Sequence, residues 1–227
     1  MRCAAVILAG GRGSRLGGVR KAELRVDGDA LLAYVLAAVE ACSERVVVGF
    51  PDLDVPAGVV LTREDPPGSG PAAGIAAGMA RVGAGADWVL VLACDLPGAG
   101  EIVPELLAAA AAAPAQVESI LARTPAADLP PGDRGGDRGG DRAGDRAGAR
   151  AGDVEGRTEW LTGIHRAGAL RRVIAARGEG LIDGSVRRLF ASMRQATIAA
   201  PPGSTRDVDT WEDHRYWLAR AGEGRER

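Results

Sequence analysis

Residues 4–21 decide the fold, and they read AAVILAGGRGSRLGGVRK. The stretch begins with an apolar run that has the length and β-forming composition of a buried strand. This run leads directly into a basic loop whose glycines leave room for the close approach of a ligand. Backbone N–H groups in such loops converge on anions, and Arg12, Arg15 and Lys21 add positive charge. The stretch therefore predicts a strand followed by a polyphosphate-binding loop.

Two common phosphate-binding motifs do not fit this loop. A P-loop requires glycine before its lysine and Ser or Thr after it, whereas Lys21 lies between Arg20 and Ala22. The dinucleotide fingerprint requires a third glycine at the position that Leu16 occupies. The structural alternative is a plain strand-to-helix turn, but the packing of such a turn does not explain so many glycines and cations in one loop. The pattern therefore favours a different class of nucleotide-binding protein.

Composition and charge argue against a nucleic-acid-binding, membrane-bound or disulfide-rich protein. The 227 residues suffice for one α/β domain with a substantial core. A formal net charge of −2 gives no overall attraction to nucleic acid or to an anionic membrane, and no apolar run approaches the length of a membrane span. Cys3, Cys42 and Cys94 are too scattered for a disulfide framework or a zinc site. We therefore expect a cytoplasmic protein that binds neither nucleic acid nor a membrane.

Apolar strands alternate with helical segments along the chain, which predicts a mostly parallel sheet with right-handed crossovers. Further strands are predicted over residues 45–50, 59–62, 116–121 and 195–199, and helices over 30–42, 72–82, 101–113, 167–177, 185–193 and 211–220. Residues 124–156 include a degenerate Asp-Arg-Gly repeat with no apolar surface to bury. We predict one domain over residues 1–222, with 124–156 as a disordered low-complexity insertion.

A second apolar strand, residues 87–93, is followed closely by the carboxylate of Asp95. Its continuous apolar run is typical of a central parallel strand that is buried on both faces. Ligands of open α/β sheets bind beyond the carboxyl ends of the strands, so Asp95 is expected beside the glycine-rich loop. A carboxylate next to a polyphosphate is repulsive unless a cation intervenes, and this implies Mg²⁺. The alternative is that Asp95 only caps the following helix.

These motifs resemble those of the molybdenum cofactor guanylyltransferases, which are MobA-like NTP transferases. The first loop is similar to the family pattern LAGG-x-(G/S/A)-x-R-hydrophobic-G-G-x-x-K, with Arg15 and Lys21 in register. Residues 93–97 resemble its (A/C)-C-D-x-P pattern, and residues 65–74 resemble an Asp that precedes GP-x-x-G. The resemblance implies a Rossmann-like three-layer α/β/α nucleotidyltransferase fold with a mostly parallel sheet.

The same resemblance assigns roles to individual residues. Lys21, Arg15 and Asp95 would be catalytic, the two cations by steadying the triphosphate. Residues 205–213 are similar to the family's N-(I/V)-N-T-P-E-D segment with aspartates in place of both asparagines, so Asp209 would join Asp95 as a Mg²⁺ ligand. The nucleotide-binding set would consist of Leu8, Ala9, Gly10, Gly11, Arg12, Gly13, Lys21, Asp65, Gly70, Pro71, Gly74 and Asp95.

The implied activity is Mg²⁺-dependent transfer of a nucleoside monophosphate from an NTP to a phosphorylated small-molecule acceptor, with release of pyrophosphate. GTP is the favoured donor and molybdopterin the favoured acceptor. The alternatives are a cytidylyltransferase acting on molybdopterin or on a sugar or polyol phosphate, and a non-catalytic nucleotide-binding regulatory protein. A molybdoenzyme or a carrier of the cofactor is the implied protein partner, and we expect a monomer.

The acceptor side matches the family less closely. The family pattern HPL-x-A-L-Y-R corresponds to residues 159–166, where Glu159, Trp160 and Leu161 replace His-Pro-Leu and His165 replaces Tyr. His165 is either a substrate contact or a structural residue. Five arginines on the helices that follow either form a patch for an anionic acceptor or lie on solvated faces: Arg171, Arg172, Arg187, Arg188 and Arg194.

Overall fold

The computed structural model describes residues 1–129 and 156–225. Its strands, in chain order, are β1 (Cys3–Ala9), β2 (Arg12–Gly13), β3 (Val19–Arg20), β4 (Arg25–Val26), β5 (Asp29–Ala30), β6 (Glu44–Gly49), β7 (Val59–Thr62), β8 (Trp88–Ala93), β9 (Ser119–Pro125), β10 (Gly156–Arg166) and β11 (Gln195–Ala199). Its α-helices are α1 (Leu31–Ala38), α2 (Gly70–Met79), α3 (Ala99–Ala112), α4 (Ala167–Arg177), α5 (Val186–Phe190) and α6 (Trp211–Arg225).

Seven strands form the central sheet in the order β11, β9, β10, β8, β1, β6, β7. The pairs β1–β6, β1–β8, β6–β7 and β9–β11 are parallel, and β10 is antiparallel to both of its neighbours. The prediction of a mostly parallel sheet is therefore confirmed. The remaining short strands pair as two small hairpins, β2 with β3 and β4 with β5.

Helices cover both faces of the sheet because successive residues of the central strands point to opposite sides. On β1, Ala5 and Ile7 belong to the cluster that packs with α1 and α3, whereas Ala4 and Val6 pack with α2, α4 and α5. All four side chains are fully buried, as the continuous apolar run predicts. A smaller cluster joins α6 to the loop after β1 through Leu16, Val208 and Trp217. These layers confirm the predicted α/β/α fold.

Element boundaries differ from the sequence prediction in a few places. Helix α1 ends at Ala38 rather than at residue 42, and β9 covers Ser119–Pro125 rather than 116–121. The predicted insertion, residues 124–156, is too long at both ends. Thr124 and Pro125 belong to β9 and pair with Arg157 and Gly156 at the start of β10. The rest of that prediction concerns residues 130–155, which lie outside the described residues. Within residues 1–129 and 156–225, no helix has both the length and the apolar character that crossing a bilayer requires.

Candidate active site

The candidate site lies at the carboxyl ends of β1 and β8, which are neighbours in the sheet. Leu8 pairs with Ala93, so the residues that follow the two strands emerge side by side. The Cys94 N–H donates to the Leu8 carbonyl over 3.0 Å and continues this pairing to the end of the strands. The glycine-rich loop and Asp95 therefore lie next to each other, as the sequence predicts.

The glycine-rich loop folds back on itself as a small hairpin. Gly17 and Gly18 have φ values of 78° and 81°, which glycine adopts without strain. The Gly18 N–H donates to the Gly13 carbonyl over 2.8 Å and closes the tip. This return path brings Lys21, the residue after β3, back over the start of the loop. The last residues of the sequence motif are thereby placed above the carboxyl end of β8.

Lys21 is the cation at the centre of the site. Its Nζ donates to Asp95 Oδ2 over 2.6 Å and also to Asp209 Oδ1. Only 14% of the Lys21 side chain is exposed. Burial by itself would lower the pKa of Lys21, but the charges of Asp95 and Asp209 outweigh it and raise that pKa above its ordinary value. The ammonium group is therefore charged at every physiological pH.

Three carboxylates cluster around this ammonium group, those of Asp95, Asp207 and Asp209. Each offers an oxygen, and these oxygens lie within 4.8 Å of one another. Burial, followed by the charges of Asp209 and Asp95, raises the pKa of Asp207 to about 7. Carboxylate oxygens at this spacing suit a hard divalent cation such as Mg²⁺. The cluster contains both predicted metal ligands and adds Asp207.

The segment that carries Asp207 and Asp209 is fixed at both ends. The Val208 N–H donates to the Asp95 carbonyl over 3.0 Å, which holds the segment against the end of β8. The buried hydroxyls of Thr205 and Thr124 lie 2.7 Å apart and link it to β9.

At the start of α6, the Asp213 N–H donates to Thr210 Oγ1 and the Thr210 N–H donates to Asp213 Oδ2. This reciprocal pair is a capping box.

A cavity of about 420 Å³ opens beside the carboxylates. Its floor includes Lys21 and the cluster, and Gly70 and Pro71 at the start of α2 form part of its wall. Another part of its wall is the stretch of β10 around Trp160, where the pairing with β9 shifts register between Glu159 and Gly163. Such irregularities re-aim side chains next to functional sites. Residues 183–187 complete the wall.

The structure separates the predicted nucleotide-binding residues into two groups. Lys21, Gly70, Pro71 and Asp95 line the cavity. The loop residues Gly10, Gly11, Arg12 and Gly13 lie just beyond β1 or in β2, and Leu8 and Ala9 are the last residues of β1 itself.

The two remaining predicted binding residues, Asp65 and Gly74, belong to neither group. Asp65 is exposed and does not line the cavity. Gly74 faces the sheet, since a Cβ built there would lie 3.1 Å from Leu8 Cδ2. The carboxylate beside the loop is instead that of Glu64, which accepts a hydrogen bond from the Gly68 N–H over 2.8 Å and lies near Gly10. Sequence reasoning missed Glu64 because this residue lies just before the Pro/Gly-rich segment, residues 65–74.

Arg15 lies on the outer side of the carboxylates. Its side chain is 69% exposed, and its guanidinium nitrogen is 3.9 Å from Asp209 Oδ2. Arg15 lines a second, larger cavity of about 800 Å³, which shares Arg157, Thr205 and Asp207 with the first. Arg157 donates to Glu159 from two nitrogens, each over 2.9 Å. Sequence reasoning missed Arg157 because it fell at the edge of the predicted insertion.

His165 and most of the helix arginines have structural roles. The His165 ring is fully buried, and its centroid lies 4.3 Å from that of Phe190. Arg171 donates to the carbonyls of Val82 and Gly83. Arg172 and Arg194 both pair with Glu118, which precedes β9 at the opposite end of the sheet. Of the five arginines, Arg187 lines the cavity beside the carboxylates.

Comparison with known families identifies the family to which the chain belongs. Residues 5–198 match the MobA-like NTP transferase domain. The chain belongs to this family. Over 97 residues it is 39% identical to a probable molybdenum cofactor guanylyltransferase of Trichormus variabilis, and over 101 residues 38% identical to a molybdenum cofactor guanylyltransferase of Pseudomonas putida. These matches cover 41% and 42% of the chain and 45% and 51% of the relatives, so the chain spans about half the length of each.

Solved structures share the fold over almost the whole chain. One is the 2-C-methyl-D-erythritol 4-phosphate cytidylyltransferase from Thermus thermophilus, with a TM-score of 0.65, 22% identity and coverage of 98% of this chain and 100% of that one. Another is the molybdopterin-guanine dinucleotide biosynthesis protein A from Archaeoglobus fulgidus, with a TM-score of 0.64, 14% identity and coverage of 97% and 99%. At these identities the likeness concerns the fold alone.

Proposed function

We propose that this MobA-like NTP transferase moves a nucleoside monophosphate from an NTP to a phosphorylated acceptor and releases pyrophosphate. GTP is the proposed donor and molybdopterin the proposed acceptor. The observation that carries the proposal is the position of Lys21, which joins the glycine-rich loop to the carboxylates at the end of β8 and before α6. The names of the relatives from Trichormus variabilis and Pseudomonas putida support the choice of guanine and of the molybdenum cofactor.

The triphosphate would bind along the hairpin loop after β1. Neither Gly10 nor Gly11 has a side chain that would block the approach of phosphate oxygens to the backbone N–H groups of the loop. Lys21 is a compact, flexible point charge that reaches the phosphates from one side of the loop. Arg15 is exposed and adds a second positive charge. Together these groups would neutralise charge that develops on the leaving pyrophosphate.

Asp95, Asp207 and Asp209 would hold a Mg²⁺ ion. Their oxygens lie within 4.8 Å of one another, and three carboxylates are the hard donor set that this cation prefers. A bound Mg²⁺ ion would supply charge neutralisation and alignment of the phosphates. The protein contributes a rigid frame for the ligands, since the Val208 N–H is bonded to the Asp95 carbonyl and Thr205 is tied to Thr124.

The acceptor would occupy the 420 Å³ cavity between β10 and residues 183–187. Arg187 offers a positive charge to the acceptor phosphate, and Trp160 offers an aromatic surface. From this side, an acceptor phosphate oxygen would attack the α-phosphorus of an NTP held on the loop, and the bond to pyrophosphate would break in line. Catalysis would then be a matter of positioning and electrostatics, with no covalent protein intermediate.

Pyrophosphate release with a panel of nucleotides tests this proposal. Purified protein, molybdopterin and Mg²⁺ are combined with GTP, CTP, ATP or UTP in turn. The expected result is release with GTP, and formation of molybdopterin guanine dinucleotide seen by mass spectrometry. Turnover with CTP would instead indicate a cytidylyltransferase. Nucleotide binding without any turnover, seen as a rise in melting temperature, would indicate a regulatory protein.

Other features follow from the sequence and stay predictions. We expect a monomer in the cytoplasm, with a molybdoenzyme or a carrier of the cofactor as its protein partner and with neither nucleic acid nor a membrane as a ligand. Size-exclusion chromatography with light scattering measures the oligomeric state directly.

A further inference from the structure

The Lys21 side chain lies among the oxygens that a divalent cation would use. Its ammonium nitrogen is 2.6 Å from Asp95 Oδ2 and is also bonded to Asp209 Oδ1. The side chains of Lys21 and Asp95 are only 14% and 12% exposed, so water screens this pair little. Two of the three carboxylates therefore already share the single positive charge of Lys21.

We propose that Lys21 is the internal counter-ion of the carboxylate cluster in the nucleotide-free protein, and that it keeps a bare divalent cation out until a nucleotide arrives. This inference rests on the proposed function, because the nucleotide is what would draw Lys21 away. A metal ion that binds Asp95 and Asp209 competes with Lys21 for the same oxygens. It also meets the ammonium charge at close range, and like charges repel strongly in a partly buried site.

The phosphates of a nucleotide remove this conflict. Lys21 carries its charge on a flexible four-carbon chain, so its ammonium group can turn from the carboxylates to phosphate oxygens. The vacated carboxylate oxygens then accept the metal that accompanies the nucleotide. Metal and nucleotide should consequently bind with positive coupling, and by thermodynamic linkage each raises the affinity of the other by the same factor.

Neighbouring cations are placed differently and do not share this role. Arg20 donates to both oxygens of Asp52 over 2.9 Å and stacks on the Phe50 ring. Arg15 is 69% exposed and lies 3.9 Å from Asp209. Among the side chains that the structure describes, Lys21 is the cation within hydrogen-bond distance of two of the carboxylates, and Arg20, its neighbour in the chain, serves as a matched control.

Electron paramagnetic resonance of Mn²⁺ tests the inference without any nucleotide or turnover. Free Mn²⁺ is titrated into the full chain, and its dissociation constant is measured for the wild type, Lys21→Met and Arg20→Met. We expect Lys21→Met to bind Mn²⁺ about tenfold more tightly or better, within the range of typical coupling energies. Arg20→Met should match the wild type. Equal or weaker Mn²⁺ binding by Lys21→Met would overturn the inference.

A second titration uses only the wild type, so that it stands even where Lys21→Met fails to fold. Mn²⁺ affinity is measured with and without a GTP analogue whose α,β-bridge is a methylene group. We expect a gain of about five- to 150-fold with the analogue, beyond the Mn²⁺ that the analogue binds in a protein-free control. Tight Mn²⁺ binding without nucleotide would contradict the inference. Failure of the proposed function can be distinguished from failure of this inference. In that case pyrophosphate release is absent, while Mn²⁺ still binds as expected.

Discussion

The ammonium nitrogen of Lys21 lies 2.6 Å from the carboxylate of Asp95, although 74 positions separate the two residues in the chain. The contact arises because β1 and β8 are adjacent parallel strands. Asp95 follows β8, and the hairpin loop after β1 returns Lys21 to the same edge of the sheet. A strand-end position at the centre of an open α/β sheet is the usual place for ligand-binding groups. The Lys21–Asp95 pair thus links the two sequence motifs that define the site.

Replacement of Asp95 by asparagine should lower turnover by about 100-fold or more, the scale for loss of one preorganised electrostatic group. Asparagine preserves the shape of the side chain but removes the charge that would bind Mg²⁺. Pyrophosphate release at saturating substrate measures the effect, and circular dichroism checks the fold. Asp87→Asn is the matched control, because Asp87 precedes the same strand at its other end and accepts a hydrogen bond from the Arg2 N–H. Full activity of a folded Asp95→Asn variant would exclude Asp95 as a metal ligand.

Lys21→Ala should impair turnover severely, whereas Arg20→Ala should not. We expect Lys21→Ala to lower kcat by about 100-fold and to reduce NTP affinity less, because a charge aimed at the leaving group acts mainly in the transition state. Arg20→Ala should change both constants little, since Arg20 is engaged by Asp52 and Glu23. Steady-state kinetics of the two variants decide the matter. A severe defect in Arg20→Ala alone would mean that the loop was assigned one residue out of register.

The parts of the site that the sequence predicts are those carried by local patterns. The run before Gly10 predicts a buried strand, and the carboxylate after residues 87–93 predicts a group at its end. The sequence shows Asp207 as an aspartate in place of the family's asparagine, but its membership of the cluster depends on how the segment before α6 folds back onto β8. That path is fixed by the Val208 contact with Asp95 and the Thr205 contact with Thr124.

The acceptor side shows what the sequence could not predict. Trp160 lines the cavity in the stretch where β10 changes register against β9, and such a shift depends on the pairing of two distant strands. His165 is buried against Phe190 on α5, so its role depends on tertiary packing rather than on the letters around it. Glu64 lies beside Gly10 because a loop between β7 and α2 folds over the end of β1.

Gly78→Ala should destabilise the protein by about 1–3 kcal/mol, the usual cost of overpacking a core. A Cβ at this position would lie 2.4 Å from Val6 Cγ1 and 3.0 Å from Val48 Cγ2, so α2 would have to move away from the sheet. Urea unfolding measures the change. Gly100→Ala in α3 is the control, because its Cβ would meet no atom within 4 Å. It should be neutral or stabilising by about 0.4–1 kcal/mol, and equal effects at the two sites would contradict the close packing of α2.

His165 should make the protein sensitive to mild acid. Its ring is fully buried on β10, and burial lowers its pKa from 6.5 to about 3. Below pH 6.5 the unfolded chain binds a proton at this histidine while the folded protein does not, so unfolding becomes more favourable as the pH falls. The free energy of unfolding should therefore decrease by up to about 1.4 kcal/mol per pH unit from this group. The decrease should begin near pH 6.5 and level off near pH 3, where the folded protein also takes up the proton.

His165→Leu isolates this contribution, because leucine is close in volume and does not titrate. Urea unfolding at a series of pH values from 8 to 4 gives the free energy of unfolding of both proteins. Carboxylates contribute to acid denaturation in both, so the informative quantity is the difference between the two proteins at each pH. We expect that difference to shift in favour of His165→Leu as the pH falls below 6.5, whatever its value at pH 8. A difference that stays constant across the series would show that His165 titrates with the same pKa in the folded and the unfolded protein.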